Sequence, residues 1–239
     1  MAAENIIKRR IKSAKNISQI TRSMQMVAAS KMKKAQRIVL SARPYTSHLS
    51  NLMQSFVGES TNITGQRLII IFSSDKGLCG GLNTNLFRFL QKSFDLKNYL
   101  VYAFGKKAQR LATIFDLANL SDYGEIYLVY NKFVSALVSS PTTLKIWPYQ
   151  EKQTVDDRIL EPSKERIMSK LTDTFLQNQI AMAKLETVAC EHSARMLAMK
   201  NATDNASDLI QVLTLKYNQA RQVKITSEIA DIVTARMNT

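Results

Sequence analysis

Residues that stop helices are scarce in this chain and confined to its middle. All seven glycines lie between Gly58 and Gly124, and of the four prolines only Pro44 precedes that stretch. After Pro162 there is neither glycine nor proline, so apart from Pro44 both ends are free of the residues that most often interrupt a helix. Long apolar runs are missing too. Stretches such as Leu68 to Phe72 fall far short of the ~20 residues that cross a bilayer, and they read as buried strands. The two cysteines, Cys79 and Cys190, share no ligand spacing with each other or with His48 and His192. That argues against a disulfide or a zinc site and for a reducing compartment. No aromatic residue precedes Tyr45, which leaves the N-terminal segment without a platform for stacking bases. Paired carboxylates, serine triads and metal-protease helices are all lacking, so nothing in the chain argues for catalysis, a cofactor or a metal.

Acid is scarce at one end only. Residues 1–43 carry eleven Lys or Arg against the single acid Glu4, so most of the net charge of +14 sits on this segment. Such a bias is the footprint of an acidic partner: nucleic acid, an anionic membrane or an acidic protein surface. A basic, acid-poor opening is also a feature of transit peptides. Here it runs unbroken into a helical pattern and reads as mature protein.

What is present organises as two arms around a middle: residues 1–57, 58–162 and 163–239. In the first arm Ile7, Ile11, Ala14, Ile17, Ile20, Met24, Ala28, Met32, Ala35 and Val39 follow in steps of three and four, one face of a helix. Pro44 is expected to kink this helix or mark a joint near Arg43. The last arm opens on a capping pattern at Pro162-Ser163-Lys164-Glu165. Its stripe runs from Leu171 and Phe175 through Asn178, Met182, Leu185, Ala189, His192, Met196, Met199, Ala202, Ala206, Leu209, Leu213, Tyr217 and Ala220 to Val223. That rhythm is a coiled coil's, and about seventy residues make a helix on the order of 105 Å long. Such a helix needs a partner of similar length, and the first arm, antiparallel to it, is the obvious one. Because the second arm is longer, part of its stripe is expected to project and find a partner elsewhere.

The middle reads as a small, mostly parallel α/β domain. Strands are expected at Arg67–Ser74, Tyr99–Phe104 and Glu125–Phe133, with an extended segment from about Thr143 to Pro148 suited to an edge. Helices are expected from about Asn83 to Phe94 and from about Lys106 to Phe115.

The one glycine cluster, Ser73-Ser74-Asp75-Lys76-Gly77-Leu78-Cys79-Gly80-Gly81-Leu82-Asn83, follows a strand and precedes a helix, where exposed amides can cradle phosphate. Its spacing fits neither GxGxxG nor the P-loop, so Gly77, Gly80 and Gly81 read as a tight structural turn, with Asp75 and Lys76 pairing or capping. Cys79 reads as a structural thiol, since no catalytic-thiol signature surrounds it. His192 and Asn178 on the coiled-coil stripe read as register-setting polar residues. The methionines at 24, 26, 32, 182, 196 and 199 fill a core or form an adaptable sliding surface.

Several stretches together resemble the gamma subunit of F-type ATP synthases. Ile17 to Met32 (ISQITRSMQMVAASKM) is similar to that family's signature helix, and Asp75 to Asn83 (DKGLCGGLN) to its turn after the first strand. Tyr130-Asn131-Lys132-Phe133 resembles its strand end. Glu191 to Ala206 (EHSARMLAMKNATDNA), Tyr217 to Gln222 (YNQARQ) and Ile225-Thr226 resemble its C-terminal segment. The likeness covers both arms almost completely and the middle in part. It implies a non-catalytic rotor: a long antiparallel coiled coil within a hexamer of alpha and beta subunits, and a small Rossmann-like α/β domain seated with epsilon on a membrane c-ring. Turning with protons or sodium ions, such a shaft couples ion flow to ATP synthesis or hydrolysis.

Carried over by resemblance, Met24 faces the moving lever of a beta subunit, with Glu191 and Arg195 near it on the opposite helix. Arg221 and Gln222 hydrogen-bond a beta-subunit loop, and Thr226 belongs to the same contact region. The implied location is peripheral, on the cytoplasmic face of a bacterial plasma membrane, or on the matrix face of the mitochondrial inner membrane. Between Phe104 and Tyr127 the chain departs from the family pattern and is expected to lack about one strand–helix unit. Two rival readings remain: a basic coiled-coil protein associated with nucleic acid, and a small α/β enzyme binding nucleotide at Gly77 to Gly81.

Overall fold

The computed structural model describes residues 2–56, 65–112, 123–148 and 163–237. Two long helices frame the chain: α1 over Ala2–Phe56 and α3 over Lys164–Met237. Between them lie β1 (Arg67–Phe72), α2 (Leu82–Ser93), β2 (Leu100–Phe104), β3 (Glu125–Phe133) and β4 (Ser139–Trp147). The expected helix near Lys106 to Phe115 is, among the described residues, a single 3₁₀ turn at Gln109–Leu111; the rest of that expectation lies outside them.

α1 continues through Pro44, where a kink or joint was expected. Pro44 sits on the exposed side of the helix, as does Leu40 four residues earlier. The carbonyl freed by the missing N–H is therefore open to water, and the ring meets little packing. On the opposite side Val39 and Leu49 are buried and hold the helix in place.

By contact density the chain forms two compact units, one of Met1–Val27 with Met196–Thr239 and one of Ala28–Arg195. The second contains a four-stranded sheet in the order β2-β1-β3-β4. β1 runs parallel to both β2 and β3, and β4 joins antiparallel at the edge. β4 is longer than the extended segment read from the sequence and contains Pro141, which an edge strand tolerates because one side of its ladder is unpaired.

β1 is apolar at every position after Arg67 because both of its faces are covered. On one face Leu68, Ile70 and Phe72 join Ile126, Leu128 and Ile146 against Leu49 and Met53 of α1 and Phe175, Leu176 and Ala183 of α3. On the other face Ile69, Ile71, Val101 and Val129 pack against Leu86 and Leu90 of α2 and Ala108. Three layers result: a helix pair, the sheet and α2. Within this unit α1 and α3 are antiparallel, since Arg43 meets Glu186 while Ser50 meets Gln179.

In the other unit the buried and half-buried positions of α1 are Ile7, Ile11, Ala14, Ser18, Thr21 and Gln25. They alternate steps of four and three, the repeat of a coiled-coil seam. α3 answers with Met199, Thr203, Ala206, Ile210, Leu213 and Tyr217, and the Thr21 and Thr203 hydroxyls bond at 2.7 Å. This corrects the expected stripe. Ile17, Ile20 and Met24 are 53%, 59% and 40% exposed, and the seam takes the small or polar Ser18, Thr21 and Gln25 instead. On α3 the same shift replaces Leu209 and Val223 with Ile210 and Lys224.

Candidate functional site

The functional positions suggested by the sequence fall into three places. The first is the glycine turn between β1 and α2. Gly80 has φ 58° and Leu78 has φ 63°, so two residues of the turn are left-handed. Glycine suits position 80, because it takes that conformation without the cost a side chain adds. Gly77 and Gly81 have ordinary space around them. Asn83, the second residue of α2, closes the loop: its Oδ1 accepts from the Ser74 N–H at 3.2 Å, and its Nδ2 donates to Ser74 Oγ at 2.7 Å and to Cys79 Sγ at 3.4 Å. Ser74 Oγ in turn donates to the Lys76 carbonyl. These groups are spent on one another, which is the arrangement of a structural turn.

Asp75 and Lys76 do not pair with each other. Asp75 accepts from the Lys106 N–H at the end of β2, while the Lys76 carbonyl accepts from Arg195. The more exacting glycine is Gly105, with φ 93°, where a Cβ would run into the Ser73 carbonyl. Ser73 Oγ sits against that corner, donating toward the Phe104 and Gly105 carbonyls and accepting from the Ala108 N–H. An isolated glycine at a strand exit was the one available signal for it.

The second place is α3 from Glu186 to Arg195, where the expectation changes most. Arg195 Nη2 forms a 2.6 Å ion pair with Glu191 one turn back, and both side chains are largely buried. The same guanidinium donates to the Gly77 and Lys76 carbonyls, which fastens the glycine turn to α3. His192 Nδ1 lies 3.3 Å from Arg195 Nη1. Burial, above all, holds the His192 imidazole below its usual range; Arg195 and Lys31 add to this and Glu191 opposes it. A neutral ring can accept from the guanidinium. Glu191 and Arg195 are thus brought together with Gly77, while Met24 is an exposed side chain of the other unit.

Sequence alone gives no role to Glu186 or Ser193, and none to Cys190 beyond excluding a disulfide or zinc site, yet the three lie on one face of α3. Glu186 Oε1 pairs with Arg43 at 3.0 Å, and its Oε2 accepts from the Phe133 N–H at 3.2 Å. Cys190 Sγ donates to the Asn131 carbonyl at 3.2 Å, and Ser193 Oγ donates to the Ala136 carbonyl. Burial, with the nearby Glu186 charge, pushes the Cys190 thiol up to about 12, leaving it a poor nucleophile. Both cysteines are free and buried.

The third place is the far part of α3. Arg221, Gln222 and Thr226 are exposed, and Thr226 Oγ1 bonds only back along its own helix to the Gln222 carbonyl. Around them Ile225, Ile229, Ile232 and Val233 are exposed as well. An apolar stripe left open on a helix marks an interaction surface. On α1, Ile17, Ile20, Met24 and Val27 make a second exposed stripe at helical spacing. Among the described residues no group of three or more His, Cys, Asp or Glu could hold a metal ion. No described helix is long and apolar enough to cross a membrane.

The sequence pattern of the ATP synthase family matches residues 4–113 and 110–237, nearly the whole chain. The ATP synthase gamma chain of Desulfitobacterium hafniense is 37% identical, with 98% of each chain covered. That of Ruthia magnifica is 38% identical, again with 98% of each covered. The chain belongs to the ATP synthase gamma-chain family. The two matched stretches meet at residues 110–113, within the segment where the missing strand–helix unit was expected. The Desulfitobacterium alignment runs to 274 positions against a chain of 239, so that relative carries residues this family member lacks. Among solved structures, a chain of the Euglena gracilis mitochondrial ATP synthase, solved by cryo-EM as OSCP, F1 and c-ring, superposes with TM-score 0.73 at 18% identity. It covers 99% of this chain and 94% of the other. A chain of the Tetrahymena thermophila central stalk and c-ring gives TM-score 0.58 at 23% identity, covering 77% and 99%. At such identities the likeness speaks for the fold.

Proposed function

We propose that this chain is the central rotor of a rotary ATP synthase, linking a membrane ring that turns with protons or sodium ions to the catalytic alpha and beta subunits. Family membership sets the complex. The observation that carries the role is the open apolar surface on the coil: Ile17, Ile20 and Met24 on α1, and Ile225, Ile229 and Ile232 on α3. Exposed apolar side chains in register on long helices suit a shaft enclosed by other subunits. The basic first arm suits an acidic protein surface around it.

In this reading Met24, Arg221, Gln222 and Thr226 meet beta subunits, and the α/β unit meets epsilon and the c-ring. Glu191 and Arg195 belong to the same beta-subunit contact region by the family likeness, and Arg195 also fastens the glycine turn to α3. The chain itself is non-catalytic: its glycine turn satisfies its own polar groups and lacks a P-loop lysine. A peripheral position on the cytoplasmic face of a bacterial plasma membrane, or the matrix face of a mitochondrial inner membrane, follows from the role. A nucleic-acid function finds no support in the relatives named above.

Mixing the full chain with alpha and beta subunits of a gamma-chain relative tests the reading. A complex with ATPase activity above that of alpha and beta alone is the expected result, weakened by the paired substitution Arg221→Ala, Gln222→Ala. Failure of the wild-type chain to join alpha and beta would overturn it.

A further inference from the structure

Within the α/β unit, the end of β3 is held at its backbone by side chains from both long helices. Phe133 is the last residue of β3, where the ladder with β4 ends at Ser139. Its N–H donates to Glu186 Oε2 at 3.2 Å, and its carbonyl accepts from Arg43 Nη2. The same Arg43 donates through Nε and Nη2 to Glu186 Oε1, at 3.3 Å and 3.0 Å. Two side chains, one from each long helix, thus pair with a strand terminus as a neighbouring strand would. Glu186 is only 5% exposed in its side chain and uses both oxygens. Its neighbours along α3 grip the chain on either side of Phe133, Cys190 at the Asn131 carbonyl in β3 and Ser193 at the Ala136 carbonyl in the turn to β4. The Arg43–Glu186 pair joins α1, α3 and the sheet at one point through polar groups.

We infer that Glu186, with Arg43, is the positioning residue that locks the sheet to both helices, so that a force applied to the sheet turns the coil instead of sliding past it. The inference rests on the rotor reading above. Apolar packing alone is a poor lock, because it has no direction and side chains can repack. A charged pair whose carboxylate is buried and which also holds the N–H and carbonyl of one residue has a single good geometry, and any slip leaves the buried carboxylate and two backbone groups unpaired.

The test uses the complete synthase, containing the full chain, reconstituted into lipid vesicles. It compares Glu186→Ala, Glu186→Gln and the apolar pair Arg43→Met, Glu186→Met. ATP hydrolysis should stay near wild type, while ions pumped per ATP hydrolysed fall by roughly fivefold in Glu186→Ala. Glu186→Gln keeps an acceptor for the Phe133 N–H and should fall between. The apolar pair should recover the melting temperature, since replacing a buried ion pair with well-packed apolar groups is often neutral, yet stay uncoupled. Amide exchange at Phe133 should quicken in Glu186→Ala and in the apolar pair. A wild-type pumping ratio in Glu186→Ala would overturn the inference. Recovery of coupling together with melting in the apolar pair would do so as well, because stability alone would then explain the effect. So would failure of all three variants to assemble. Failure of the wild-type chain to assemble would instead sink the rotor reading, and it would be seen before any variant is compared.

Discussion

α3 behaves as two different helices along its length. From Phe175 to Arg195 it is buried on more than one side, and polar residues such as Gln179, Glu186, Thr187 and Ser193 are buried with it. Several of them are spent on the sheet or on α1. From Met199 onward burial narrows to a single seam, and past Lys224 every side chain described is exposed. Helix propensity does not change at any point along this sequence enough to explain the difference. What changes is the number of partners. Where α3 serves α1 and the sheet together, polar groups are tolerated because they reach specific acceptors. Where it serves α1 alone, two side chains per heptad suffice and the rest of the surface is left for something outside the chain.

That comparison can be broken first at the two cores. Leu128→Ala, in the middle of β3 with no exposure, should cost about 3 kcal/mol, while Leu213→Ala on the single seam should cost clearly less. Urea denaturation of the full chain measures both, and equal losses would mean that the coil is packed as tightly as the sheet.

A second contrast lies between two glycines of the α/β unit. Gly105→Ala forces a Cβ into the Ser73 backbone at φ 93° and should cost about 2 kcal/mol or more. Gly77→Ala, with nothing near its Cβ, should stay within about 0.5 kcal/mol. A thermal melt of each variant decides whether Gly77 or Gly105 is the demanding position.

Alkaline pH sharpens the comparison chemically. Burial raises the Cys190 thiol from near 9 to about 12 and the Tyr130 phenol from near 10 to about 12, both in the α/β unit. The folded chain keeps protons that the unfolded chain releases, so their contribution is complete below pH 9 and declines as pH climbs to 12. Melting should therefore fall between pH 9 and 12, and Cys190→Ala should flatten part of that fall. An unchanged slope would show that the thiol ionises as easily folded as unfolded.

The smallest effect on stability is expected at the open end of α3. Ile229→Ser removes an exposed side chain and should leave melting within about 0.5 kcal/mol of wild type. Its cost should appear in assembly with alpha and beta subunits, measured by competition against the wild-type chain. A change in melting without one in assembly would make the stripe part of the chain's own packing.

Much of this fold was legible from local rules. The absence of glycine from both ends, and of proline except for Pro44, located α1 and α3, because little there interrupts the backbone hydrogen bonding. Short apolar runs placed β1 and β3, and the motifs at Asp75–Asn83 and Glu191–Ala206 pointed to the family. The face of the coil was another matter. Ile17, Ile20 and Met24 look like a seam by hydrophobicity, yet Ser18, Thr21 and Gln25 occupy it. Two neighbouring stripes on one helix can both be periodic, and a chain whose outer stripe serves another protein carries apolar residues on both. Only the partner helix, bringing Thr203 to Thr21, selects between them. The Arg43–Glu186–Phe133 junction was invisible for the same kind of reason. Its members are far apart in sequence and ordinary in type, and a carboxylate on a helix reads as a surface residue until the fold closes a strand end and an arginine around it. Sequence determined where the chain is helix and where it is strand, because those depend on neighbours within a few residues. Tertiary structure decided which faces are inside, because burial is a property of the surfaces that meet.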